Sequence, residues 1–142
     1  MSRRTNERFM QAYLELDAVC SEKLNVAGGG VTEYVNRLNN ARLAPGRDEA
    51  LPRLVRYRTI RNMLSHEVGA IKRDNGVTKS DIVWVKKFCS NITKKKDPLS
   101  LYLRRARRYL RFRKIRKIAT CVAASLLVLL TVAILAYFSL NK

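Results

Sequence analysis

The sequence predicts an all-α protein, a four- to five-helix antiparallel bundle followed by a single C-terminal transmembrane helix. Apolar residues recur at helical spacing along residues 6–93, and alternating patterns typical of β-strands are nearly absent. Residues 118–140 are 23 positions without a charge. We therefore assign the bundle to residues 1–97, a basic juxtamembrane helix partly packed on the bundle to 98–117, and the membrane span to 118–140.

The first two predicted helices are separated by the glycine triplet Gly28-Gly29-Gly30. The first covers residues 6–24, and its apolar face consists of Phe9, Tyr13, Leu16, Val19 and Cys20. The second is expected to begin at Thr32 and to direct Tyr34, Val35 and Leu38 inward. The triplet lacks the Gly-Lys-Ser/Thr sequence of a phosphate-binding loop, so we interpret it as a connection.

The next two predicted helices have clear start signals. Asp48 can cap the third, with Pro52 in its first turn and its end at about Val68 or at Lys72. Thr78 and Asp81 form the pattern of a capping box at the start of the fourth helix. Its inward stripe is Ile82, Val85, Cys89 and Ile92.

The fifth predicted helix opens at Asp97-Pro98 and continues into the apolar run. As a helix, that run is about 34 Å long, enough to cross a hydrocarbon core of roughly 30 Å. Basic residues precede it and only Asn141 and Lys142 follow it, which predicts a cytoplasmic N-terminal domain. No apolar signal-peptide segment occurs near Met1. We therefore expect a single-pass, tail-anchored membrane protein.

The charge balance excludes an ordinary soluble enzyme and indicates a polyanionic partner. The chain has 29 Lys and Arg against 11 Asp and Glu, a net charge of +18. Residues 94–142 carry 13 of the basic residues and one acidic residue. With one His and three scattered Cys, we expect no metal site and no cofactor.

One short motif carries candidate chemistry. Arg61, Asn62 and His66 lie at the end of the third predicted helix, and they are our candidate catalytic residues. This Arg-polar-x-x-x-His pattern resembles the signature of the HEPN superfamily. The resemblance implies a bundle of four or five helices, with the motif on a late core helix, and a homodimer that pairs two motifs along it. It also implies a metal-independent endoribonuclease acting in stress response or phage defence.

The chemistry of the motif is consistent with that activity. A histidine has an unperturbed pKa close to neutral and can move protons during attack by a 2′-hydroxyl. Arg61 can clamp phosphoryl oxygens in a bidentate manner. On an ideal helix, however, Arg61 and His66 are about 140° apart around the axis and 7.5 Å apart along it. We expect a second subunit to bring the two side chains together.

Two interpretations of the motif stay open. Arg58, Asn62 and His66 are also the spacing of a polar seam on a helix, with His66 in a subunit interface. The protein would then be a non-catalytic, membrane-tethered dimerisation or scaffold module, or an RNA-binding module, with the same fold.

The basic stretch before the apolar run is the second candidate site. Its proposed RNA- or lipid-binding residues are Arg104, Arg105, Arg107, Arg108, Arg111, Arg113, Lys114, Arg116 and Lys117. Tyr102, Tyr109 and Phe112 lie among them and can stack on bases. We favour anionic lipid for 111–117, which would lie closest to the bilayer, and leave RNA open for 94–108.

Overall fold

The computed structural model describes residues 2–66, 69–73 and 75–140, and the side chains of these residues except at positions 2, 132–138 and 140. Within these ranges the regular structure is entirely helical. The helices are α1 (Ser2–Leu24), α2 (Gly30–Asn40), α3 (Arg47–His66), a 3₁₀ turn (Ala70–Lys72), α4 (Lys79–Thr93) and α5 (Pro98–Leu140). The all-α prediction is confirmed for the described residues.

The chain forms two compact units, Met1–Leu103 and Arg104–Lys142. In the first unit, α1 packs against α2, α3 and α4. Its core contains the completely buried side chains of Phe9, Leu16, Tyr34, Leu38 and Leu54. The predicted apolar faces of α1 and α2 supply Phe9, Leu16, Tyr34 and Leu38, because helical spacing puts their apolar residues on one side.

Helix α2 begins two residues before the predicted start at Thr32. Gly29 is its N-cap residue and has the left-handed φ of 65°, which glycine adopts at little cost. The Asp17 carboxylate on α1 accepts a hydrogen bond from the Val31 amide at 2.8 Å, so the helix end is capped from a neighbouring helix. A Cβ atom on Gly30 would overlap the Asp17 carbonyl oxygen and the Ser21 amide nitrogen. The glycines therefore permit α2 to start directly against the backbone of α1.

Helix α3 differs from the prediction at its start, because Asp48 lies inside the helix instead of capping it and Pro52 lies beyond the first turn. The helix begins at Arg47, with Asp48 in its first turn, and it ends at His66. The predicted end at Val68 lies outside the described residues. The buried Asn6 side chain holds the next segment against α1 by donating to the carbonyl oxygens of Ile71 (3.0 Å) and Arg73 (2.9 Å).

The capping box predicted for α4 is confirmed. The Thr78 hydroxyl accepts from the Asp81 amide, and the Asp81 carboxylate accepts from the Thr78 amide at 2.9 Å. Asp81 also accepts from the Tyr57 hydroxyl at 2.8 Å and pairs with Arg56 at 3.2 Å. Burial by itself raises the pKa of Asp81, but these hydrogen bonds outweigh it and lower that pKa below its usual value.

The predicted transmembrane helix is wrong for the residues that the structure describes. Among them, no helix is both long enough and apolar enough to cross a membrane. Part of the predicted span, 132–138 and 140, lies outside the described side chains. The tail anchor and the single-pass localisation, which were inferred from that span, are corrected accordingly.

Candidate functional site

The three residues of the histidine motif lie on the last two turns of α3, as the sequence predicts. Arg61 is half-buried and donates a hydrogen bond to the Asn62 side-chain oxygen at 3.3 Å. Asn62 is exposed, and so is His66, the last residue of the helix. Among the described residues, no side-chain hydrogen bond joins His66 to Arg61 or Asn62. One chain therefore pairs the side chains of Arg61 and Asn62 and pairs neither of them with the His66 side chain.

The electrostatics around Tyr13 show where Arg61 lies. Burial and, after it, the nearby Asp17 carboxylate raise the pKa of the Tyr13 phenol to about 12. The positive charges of Arg61 and Arg58 oppose this shift, so both guanidinium groups lie near the phenol on α1. Arg61 is thus close enough to α1 for its charge to act on this phenol.

The basic segment of α5, the nine Arg and Lys residues between positions 104 and 117, has a simpler geometry. All nine side chains are exposed, and no acidic residue occurs between positions 98 and 131. Tyr109 and Phe112 are 67% and 69% exposed. Because the two residues are three positions apart on a helix, their rings lie on the same side of α5, about 4.5 Å apart along its axis. In the first unit, Leu99 at the start of α5 is buried and Leu103 is 47% exposed, and Leu110 in the second unit is 60% exposed.

A buried charged cluster, which the sequence analysis did not assign to a site, connects three helices of the first unit. The completely buried Asp97 carboxylate accepts from the Lys23 ammonium at 2.6 Å and from the Tyr34 hydroxyl at 2.7 Å. Ser100 completes it, since its amide donates to Asp97 and its hydroxyl accepts from Lys23. Burial by itself raises the pKa of Asp97, but the hydrogen bonds from Lys23, Ser100 and Tyr34 outweigh it and lower that pKa. The cluster is fully hydrogen-bonded internally and caps α5, so its role is structural.

A groove next to Trp84 and Phe88 on α4 was not predicted from the sequence. The chain has a single tryptophan, which is a weak signal for such a site, because one aromatic residue on a helix is more often part of a core. Groups of three or more His, Cys, Asp or Glu that could hold a metal ion are absent from the described part of the chain.

Comparison with known proteins identifies a family but no activity. One family model matches residues 7–126, which is most of the chain. The chain belongs to DUF6548, a family of unknown function. No curated protein and no solved structure matches this DUF6548 member. Its family match contains no link to the HEPN superfamily, so the resemblance of the histidine motif stays a prediction.

Proposed function

We propose that this DUF6548 protein binds single-stranded RNA through the basic segment of α5. The observation that carries the proposal is the combination of nine exposed positive side chains with two exposed aromatic rings on one helix. Positive side chains attract the phosphate backbone whatever its sequence, and their binding releases counterions. Aromatic rings stack on unpaired bases, which a duplex keeps inside its own stack.

The prediction that 111–117 binds anionic lipid now has less support. That preference depended on a bilayer next to the predicted span, and the described residues contain no helix able to cross one. The exposed aromatic rings favour nucleic acid, because they add a stacking partner that headgroup attraction does not need.

The test is the salt dependence of binding to a fluorescein-labelled single-stranded RNA, followed by fluorescence anisotropy. The full chain is kept in mild non-ionic detergent, since the apolar side chains of 118–131 are exposed. We expect the logarithm of the affinity to fall linearly with the logarithm of the salt concentration. Replacing Arg107, Arg108 and Arg111 with Gln should weaken binding and reduce that slope by about 2.

The matched control removes the same charge from the first unit, with Arg8, Lys86 and Lys94 changed to Gln. All three residues are exposed. Equal losses in the two triple variants would show that net charge alone causes binding and would contradict the proposal. Equally strong competition by double-stranded RNA would contradict the stacking part of it.

We propose metal-independent RNA cleavage at His66 as a second candidate function. The observation that favours it is the exposure of His66 together with Asn62, which lies one turn earlier on the same side of α3. Because Arg61 and His66 are about 140° apart around the axis of α3, cleavage would need a second copy of the chain to supply an arginine to each histidine. The active form would therefore be a homodimer.

Cleavage is tested with single-stranded RNA in EDTA and with the same substrate lacking 2′-hydroxyl groups. The RNA should be cut to 2′,3′-cyclic phosphate ends, and the deoxy substrate should survive because it has no nucleophile. His66→Ala should lose about 10²–10⁴-fold in rate, whereas Ser65→Ala, a change at the adjacent exposed position, should keep it. Equal residual cleavage in wild type and His66→Ala, or cleavage by a strict monomer in sedimentation, would contradict this candidate.

A further inference from the structure

An open groove of about 360 Å³ lies in the first unit, between the start of α3, the outer face of α4 and the start of α5. Its volume is within the range of about 300–1,000 Å³ that is typical of pockets for small organic ligands. The groove is separate from both the histidine motif and the basic segment, and no residue of either lines it.

The aromatic wall of the groove is held rigidly by its neighbours. Trp84 and Phe88 stack with ring centroids 4.8 Å apart and planes 11° apart. The edge-on ring of Tyr57 (5.5 Å) and the guanidinium of Arg53 (5.4 Å) also contact the indole. A wall fixed before a ligand arrives lowers the entropy cost of binding.

The rim of the groove has excess positive charge. Lys87 and Lys96 are both exposed, and neither forms an ion pair with any residue in the described part of the chain. The one acidic residue of the lining, Glu49, lies 3.8 Å from the Arg53 guanidinium, which offsets its charge. Two lysines with no protein partner beside an apolar wall suit an anionic ligand with a flat apolar body.

Asn91 is the third feature of the groove, after the aromatic wall and the two lysines. Asn91 lines the groove, and within the described residues its side chain makes no hydrogen bond. A carboxamide offers two donors and one acceptor, the combination that pairs with the edge of a nucleobase.

We propose that this groove binds a 5′-nucleotide, with its phosphate on Lys87 and Lys96 and its base against the aromatic wall and Asn91. The shared chemistry is a 5′-phosphate joined to a nucleobase, supplied by a free mononucleotide or by the end of an RNA strand. The site does not depend on RNA binding by the basic segment.

Trp84 makes the test direct because it is the only tryptophan of the chain, so its fluorescence reports on this groove. Full-length protein is titrated with AMP, adenosine and inorganic phosphate, with excitation at the red edge of tryptophan absorption, where adenine absorbs weakly. We expect AMP to produce a saturable change and to bind more tightly than adenosine or phosphate. Equal affinity for phosphate or adenosine alone, or no saturable response to AMP, would overturn the proposal.

Paired variants locate the phosphate. Lys87→Ala with Lys96→Ala should weaken AMP binding at least about tenfold, since two charge-assisted contacts are lost. Lys86→Ala with Lys94→Ala removes the same charge from exposed residues outside the groove lining and should leave the affinity unchanged. Equal affinities in the two double variants would overturn the proposal.

Two oligonucleotides distinguish the sources of the ligand. A short RNA with a 5′-phosphate and the same RNA with a 5′-hydroxyl are titrated against the Trp84 signal. A response to the phosphorylated strand alone assigns the site to strand ends as well as mononucleotides, and a response to AMP without either strand assigns it to free mononucleotides. Equal responses to the two strands would contradict recognition of the phosphate.

Discussion

The ammonium of Lys23, at the end of α1, donates a hydrogen bond to the Asp97 carboxylate at 2.6 Å, although the two residues are 74 positions apart in the chain. Asp97 is completely buried and also accepts from the Tyr34 hydroxyl on α2. The same carboxylate caps the first turn of α5. The position of α5 at its start therefore depends on one buried anion that contacts two other helices.

Asp97→Asn should destabilise the first unit by about 2–4 kcal/mol, because it leaves the Lys23 ammonium without its counter-charge. Asp48→Asn makes the same chemical change at a side chain that is 96% exposed and should alter stability by less than about 0.5 kcal/mol. The free energy of unfolding from urea titrations, followed by circular dichroism, measures both. If Asp97→Asn loses no more stability than Asp48→Asn, the buried Lys23–Asp97 pair contributes little to the free energy of unfolding.

Stability should fall in acid through Asp97 and Asp81. Both carboxyl groups have a pKa lowered by folding, so their contribution is complete above the unfolded pKa of about 3.9 and is lost as pH falls through the folded values. We expect an unfolding free energy that is level between about pH 5 and 7 and declines below about pH 4.

The difference in unfolding free energy between wild type and Asp97→Asn isolates the contribution of Asp97 from that of Asp81. That difference should shrink as the pH falls from about 4 towards 2, since protonation of Asp97 removes the same charge as the substitution. A difference that is constant over this range would contradict the assigned role.

Gly30→Ala should destabilise the protein by more than about 2 kcal/mol, because a methyl group would overlap the backbone of Asp17 and Ser21 on α1. Gly28→Ala is the control, since an added Cβ at Gly28 meets no atom within 4 Å. Thermal unfolding of the two variants compares them. If Gly30→Ala melts within a degree or two of Gly28→Ala, α2 does not depend on this close approach.

Tyr109→Ala with Phe112→Ala should weaken binding of single-stranded RNA by about 1–3 kcal/mol for each stacked base, without changing its salt dependence. Leu110→Ala with Ile115→Ala removes two apolar side chains of similar exposure from the same helix, 60% and 61%, but no aromatic ring. Anisotropy titrations at one salt concentration measure the affinities. Similar affinities for the two double variants would indicate that the rings take no part in stacking.

The basic segment and most helix positions could be predicted because they depend on residues a few positions apart. The capping box of Thr78 and Asp81 and the apolar faces of α1 and α2 are patterns within one or two turns. The start of α2 was missed for the opposite reason: its cap is Asp17, which lies on another helix and has no local signature.

In the histidine motif, some features could be predicted from the sequence and others depended on the tertiary structure, although all three residues lie on one helix. The sequence by itself determined that Arg61, Asn62 and His66 lie at the end of α3, and helix geometry already separated the arginine from the histidine. Only the tertiary structure showed that Arg61 lies near Tyr13 on α1 while His66 is exposed. The orientation of a helix around its own axis is set by what it packs against.

The sequence alone determined the helical class, the dense positive charge of α5 and the local start signals of α4 and α5, because spacing and composition express them within a few residues. The tertiary structure decided which helix caps α2, which cation neutralises Asp97, and which side chains form the groove beside Trp84. These features join residues that are distant in the chain, and burial in a shared core is what brings them together and makes their pairing energetically necessary.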